Sequence, residues 1–155
     1  MLVLKMYNKA IFATDGSENA KRAEVKVIDL VKNGSVTQVV AFHSILHKLV
    51  TQASPALQYI PPDVYTSLLA EVESAGTVIL NETKEAFEAE GVPIETRLIT
   101  DETPEQYISD AIDSEGFDLV VLGCRGHHSK VKEIFLGTVP TRVLHSSKCD
   151  VLVVR

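Results

Sequence analysis

Cysteine occurs only twice in this 155-residue chain, tryptophan not at all, and basic residues fall short of acidic ones by 15 to 21. Each shortage excludes something. Cys124 and Cys149 make no disulfide framework and stand in no metal-ligand spacing, so a reduced, cytoplasmic setting is expected. A net charge of −6 argues against broad attraction to nucleic acid or to an anionic membrane, while leaving room for a local basic pocket. Met1-Leu2-Val3-Leu4-Lys5-Met6 is too short for a signal h-region or a membrane span. Internal repeats and low-complexity tracts are missing too. What remains is a chain of ordinary globular composition, 45% hydrophobic, and of a length to bury a core as one domain over residues 1–155.

The pattern of apolar runs alternates strand with helix. Lys9-Ala10-Ile11-Phe12-Ala13-Thr14 predicts a buried strand stopped by Asp15-Gly16-Ser17, with Ser17 placed to cap a helix whose core face is Ala20, Ala23, Val27, Leu30 and Val31. Asn33-Gly34 closes that helix, and residues 36–43 form a second strand. Residues 44–62, punctuated by prolines, are long for a loop. From Asp63 an amphipathic helix is expected on the row Val64, Leu68, Val72, Ala75, Ile79, Thr83 and Ala86, ending at Gly91. Residues 93–99, with Glu95 and Arg97 alternating, suggest an edge strand. Thr103-Pro104-Glu105-Gln106 is a helix start of capping-box type, and Gly116 ends its helix. Residues 117–122 predict a strand, a short helix follows Pro140, and Val151-Leu152-Val153-Val154 is the last strand. Five strands alternating with four helices predict a doubly wound α/β sandwich on a parallel sheet, in which Asp15, Ser44 and Gly123 share the carboxyl edge.

The chemistry concentrates at Val120-Val121-Leu122-Gly123-Cys124-Arg125-Gly126 and at Leu136-Gly137-Thr138-Val139-Pro140. A glycine-rich turn after a strand, answered by a glycine and a hydroxyl at a helix start, presents amides to one point and suits a phosphate. The two glycines Gly123 and Gly126 serve a tight strand-ending turn equally well. Arg125 has two readings, a phosphate partner or a solvated side chain. Cys124 reads as a small turn residue. His127 and His128 are neighbours in a loop with no third ligand nearby in sequence, and so read as exposed histidines. His43, within an apolar strand, reads as a hydrogen-bonded core residue.

Taken together, Ala13-Thr14-Asp15-Gly16-Ser17, Ala41-Phe42-His43-Ser44, Gly123-Cys124-Arg125-Gly126, Leu136-Gly137-Thr138-Val139 and Val151-Leu152-Val153-Val154 resemble the universal stress proteins, specifically their ATP-binding branch. The resemblance covers nearly the whole chain in order. It departs at one place: ten residues separate Gly126 from Gly137, where the family pattern has nine, and the insertion is placed near His127-His128-Ser129.

The resemblance implies a Rossmann-like sheet of strand order 3-2-1-4-5 holding ATP or another adenine nucleotide, with Mg²⁺ on the phosphates rather than in a protein cage. Asp15 would accept from the ribose, beside Thr14, and Ala13 and Ser44 would meet the adenine. Leu122, Gly123, Arg125, Gly126, Gly137, Thr138 and Val139 would surround the phosphates. It further implies a homodimer through the edge strand at residues 151–155, an unidentified protein partner, and a nucleotide-dependent regulatory role with little or no turnover. A slow ATPase or nucleotidyl transferase on the same fold is the enzymatic alternative. Against it, the glycines carry no Walker lysine pattern and no base–nucleophile pair. A phosphorylated receiver-like switch would need several carboxylates and a lysine, of which Asp15 alone is evident.

Overall fold

The computed structural model describes residues 6–46, 60–125 and 136–155. Among the described residues nine elements alternate in chain order: β1 Tyr7–Ala13, α1 Glu18–Lys32, β2 Val36–Ile45, α2 Pro62–Ala89, β3 Glu95–Thr100, α3 Pro104–Glu115, β4 Leu119–Gly123, α4 Thr138–Ser146 and β5 Asp150–Val154. The strands form one parallel sheet in the order β3-β2-β1-β4-β5, as expected. Parallel neighbours need crossovers, and the helices supply them on both faces. Ala23, Val27 and Ile28 of α1 and Phe87 of α2 pack against Ala10, Phe12, Val39, Ala41 and Val121 on one face. Ile108 and Ala111 of α3 and Val143 of α4 pack against Ile11, Val40, Phe42, Val120 and Leu122 on the other. Alternate residues of each central strand thus serve opposite cores, which is why these strands read as unbroken apolar runs. Among the described residues no helix is long and apolar enough to cross a membrane.

Helix starts and stops follow local chemistry. Ser17 accepts from the Ala20 amide at the start of α1, and Thr103 accepts from the Gln106 amide at the start of α3. Gly116 ends α3 in the left-handed region at φ 72°, the conformation glycine takes at least cost.

The row predicted for α2 is corrected. Its buried residues are Gly76, Leu80, Thr83 and Phe87: Thr83 is buried as expected, Ala75, Ile79 and Ala86 each give way to the next residue along the chain, and Val64 is 45% exposed. Gly76 explains the offset. A Cβ there would lie 2.8 Å from Leu98 Cδ1 and 2.9 Å from Ile45 Cδ1, so the bare backbone lets α2 settle close on β2 and β3. Phe87, fully buried, then faces the sheet. Two smaller corrections concern α1, where Ile28 is buried and Leu30 and Val31 only partly so, and α4, which begins at Thr138 rather than after Pro140. Proline is tolerated in a first helical turn, where its missing N–H has no intrahelical partner to lose.

One ion cluster ties three elements together. Arg97 of β3 forks onto Glu115 at the end of α3, with Nη1 2.6 Å from Oε1 and Nη2 3.0 Å from Oε2. The same guanidinium donates to the Tyr107 hydroxyl, and Lys9 of β1 reaches Glu115 at 3.2 Å. The Arg97 hydrogen bonds hold the Glu115 carboxyl down at about 2, from an ordinary 4.5. A carboxylate lowered in the native state adds stability above its unfolded value, and that stability fades as pH falls from about 4.5 towards 2. Glu115→Gln is therefore expected to lower Tm by ~2–4 °C at pH 7. The offset should shrink to nothing near pH 2, which a thermal-melt series across pH checks; an offset that stays constant into acid would contradict it.

Candidate functional site

The strand order reverses direction at β1. The chain leaving β1 crosses to one side, and the next strand placed on its other flank is β4. Sheets of this kind open a crevice at that point, outside the carboxyl ends of the strands. The loops after β1 and β4 meet there: the Ser17 hydroxyl donates to the Arg125 carbonyl at 3.4 Å. The turn after β1 is built by its own side chains. Thr14 Oγ1 accepts from the Gly16 amide, Asp15 Oδ1 accepts from the Ser17 amide at 3.0 Å, and Gly16 takes φ +72°. Thr14 is buried, while Asp15 is half-buried at the rim.

At the end of β2, Ser44 lies opposite Ile99 of β3, and its hydroxyl donates to the Glu102 carbonyl. Its side chain is thereby committed to the neighbouring loop, which leaves contact with a ligand to its backbone. His43 donates from Nδ1 to the Thr14 carbonyl at 2.7 Å, as a hydrogen-bonded residue of the strand should.

Gly123 is needed for a reason other than backbone twist. A Cβ there would sit 2.8 Å from the Ala20 nitrogen and 2.8 Å from the Asn19 carbonyl carbon, so β4 ends directly against the first turn of α1. Backbone cannot swing aside as a side-chain tip can. Leu122 is buried among the α3 and α4 core and offers the cleft only its backbone. The Cys124 amide donates to the Val154 carbonyl at 2.7 Å, and the Gly137 amide donates to the Cys124 carbonyl at 2.8 Å. That last bond joins the start of α4 to the end of β4. Gly137 is also the N-cap of α4. An α-helix leaves its first amides without intrahelical acceptors. Here those are Thr138 and Val139, since Pro140 has no N–H. Thr138 is exposed, and Val139 packs its side chain into the α3–α4 core, so that Thr138 adds a hydroxyl and Val139 an amide.

Beside this turn a groove of about 360 Å³ is lined by Glu18, Asn19, Arg22, Cys124, Arg125, Leu136 and Arg155. Arg22 and Arg155 had no motif to announce them; only the fold brings the second turn of α1 and the chain's last residue beside Arg125. Ala13, Thr14, Asp15 and Ser44 gather at the ends of β1 and β2, with Leu122, Gly123, Arg125, Gly137, Thr138 and Val139 across the switch point. Gly126, His127 and His128, and with them the ten-residue spacing, lie outside the described residues.

The fold is a doubly wound α/β sandwich, with its polar loops at the carboxyl edge of the sheet. The chain belongs to the universal stress protein family, whose model matches residues 6–155. It is 32% identical to the universal stress protein YxiE of Bacillus subtilis, over 97% of this chain and 100% of that one. The solved structure of MJ0577 from Methanocaldococcus jannaschii matches with a TM-score of 0.77 and 25% identity, covering 96% of each chain. The universal stress protein from Archaeoglobus fulgidus, solved in complex with dAMP, has the same fold at a TM-score of 0.64 and 17% identity, over 97% and 99% of the two chains.

Gly123→Ala is expected to lower unfolding stability by roughly 1–3 kcal/mol without any ligand, the cost of overpacking against fixed atoms. Gly76→Ala should cost less, since its two shortest clashes, with Leu98 and Ile45, are with side-chain tips and alanine is the better helix former. Urea denaturation of the two variants checks the contrast; equal midpoints would contradict the backbone contact at Gly123.

Proposed function

We propose that this chain is an adenine-nucleotide-binding universal stress protein, holding ATP with Mg²⁺ riding on the phosphates, and acting as a nucleotide-dependent regulatory switch with little or no turnover. The observation that carries this reading is the placement at one switch point of a rim carboxylate, Asp15, and the N-terminus of α4 at Thr138 and Val139, which has no side-chain cap among the described residues. A carboxylate suits ribose hydroxyl donors, and the first amides of a helix suit phosphate oxygens. Ala13, Thr14 and the Ser44 backbone lie where the base would rest. Leu122, Gly123, Arg125 and Gly126 border the phosphates in this reading, and Gly137 contributes by shaping the helix start. The dAMP complex of the Archaeoglobus protein supports the ligand class.

The setting is cytoplasmic, and the working unit is a homodimer joined through residues 151–155. Support for the dimer comes from β5, an edge of the sheet whose Leu152 and Val154 are only partly buried. Light scattering on the eluting protein should return twice the chain mass; a monomer contradicts the dimer.

Asp15 also makes the turn to Ser17, so the informative change is Asp15→Asn, which keeps the Oδ1 acceptor and removes the charge. It should leave stability within ~0.5 kcal/mol and weaken ATP binding about 5- to 20-fold by isothermal titration. Unaltered affinity would contradict the ribose role. Incubation of the wild-type protein with ATP and Mg²⁺ should return far less than one product equivalent per minute, and many equivalents per minute would favour the enzymatic alternative.

A further inference from the structure

The β1–β2 ladder stops one bond short of where its geometry leads. The Thr14 amide donates to the Phe42 carbonyl at 3.0 Å. In a parallel pair the next bond runs from the Ser44 amide back to the Thr14 carbonyl. Among the described residues that bond is not made, and the register ends with Ala13 opposite Phe42. The Thr14 carbonyl accepts instead from His43 Nδ1, at 2.7 Å. A carbonyl can only accept, so Nδ1 carries the proton. Room for the imidazole comes from α2: a Cβ on Gly76 would lie 3.0 Å from His43 Cδ2.

The other flank of β2 behaves differently. Its pairing with β3 continues to Ile45 opposite Thr100, the Asp101 amide donates to the Ile45 carbonyl at 2.8 Å, and the Ser44 hydroxyl holds the Glu102 carbonyl. The strand end is therefore tied firmly on the β3 side and parted from β1.

We propose that His43 is a positioning residue: by occupying the Thr14 carbonyl it keeps the ends of β1 and β2 apart, and so leaves the Ser44 amide facing the cleft as the donor that meets a ring nitrogen of an adenine-type base. The second half of this statement rests on the nucleotide reading above; the first half does not. Without the imidazole, the Thr14 carbonyl and the Ser44 amide are each other's nearest partners in the ladder, and closing that bond removes the donor from the cleft.

Amide exchange followed by NMR, without nucleotide, tests the first half. In the wild-type protein the Ser44 amide should exchange at least ~100-fold faster than those of the neighbouring ladder residues Ala41 and Phe42. In His43→Val, a residue suited to a strand, it should become protected by at least ~10-fold as the ladder closes. His43→Asn keeps a donor near the position of Nδ1 and should restore fast exchange. Titration with ATP and Mg²⁺ tests the second half: affinity should fall about tenfold in His43→Val and recover in His43→Asn. A merely structural histidine would not give this recovery together with a protected Ser44 amide. A Ser44 amide already protected in the wild type, or exchange unchanged in His43→Val, overturns the proposal. Wild-type protein that does not bind ATP with Mg²⁺ overturns the nucleotide reading and the base-donor half with it, while the exchange measured without nucleotide still decides whether His43 parts the strands.

Discussion

Everything at the functional edge follows from the parting of the chain at the end of β1. The sheet buries both faces, and at the switch point the segments leaving the neighbouring strands β1 and β4 go to opposite sides. The segment after β1 enters α1, on the face of Ala23 and Val27, while α4 packs with α3 on the face of Val143. Between these departures the ladder cannot continue, and backbone groups that would pair within the sheet turn toward one crevice. Buried backbone groups left without partners are costly, so a fold that creates such a crevice must fill it with its own side chains, water or a ligand. Here the chain's own groups do part of this. Asp15, Thr14 and His43 satisfy part of the backbone locally, Gly137 satisfies the Cys124 carbonyl, and the first amides of α4 have no backbone acceptor among the described residues.

Packing and chemistry are joined at single residues. Gly123 ends β4 against the backbone of Asn19 and Ala20, which sets how closely α1 approaches the β4 turn. Ser17 both caps α1 and binds the Arg125 carbonyl, so the start of α1 is held to the turn it faces. Gly76 brings α2 down on β2 and β3 and makes space beside His43. None of these three residues is itself charged, yet each decides where charged or polar groups sit. At the opposite flank the Arg97–Glu115 fork, partly shielded from solvent, holds the edge strand β3 to α3 and keeps that side of the sheet in register.

Much of this was legible in the sequence, and the limits have physical causes. Apolar runs bounded by Asp15-Gly16, Asn33-Gly34 and Gly116 announced strands and helix ends because backbone conformation there depends on the residues themselves. The caps at Ser17 and Thr103 were legible for the same reason. Part of the α2 row was misplaced because glycine carries no apolar signal, yet Gly76 is buried by the close approach of the helix. The role of the Gly137 amide was hidden, since no side chain reports which carbonyl a backbone N–H will find. His43 was recognised as hydrogen-bonded, but its partner, the Thr14 carbonyl, becomes apparent only when two strands 29 residues apart are laid side by side. The strand order itself came from the family resemblance, because periodicity says which residues are buried and nothing of which strands are neighbours.

The central claim is that the crevice at the carboxyl edge, between the ends of β1, β2 and β4 and the start of α4, receives an adenine nucleotide. Backbone chemical-shift mapping during titration with ATP and Mg²⁺ addresses it directly. The account predicts saturable shifts concentrated at residues 13–15, at Ser44, at 123–125 and at Thr138 and Val139, with the α1 and α2 core face left unmoved. Shifts confined to another surface, or no saturable shift at millimolar ATP, would contradict it.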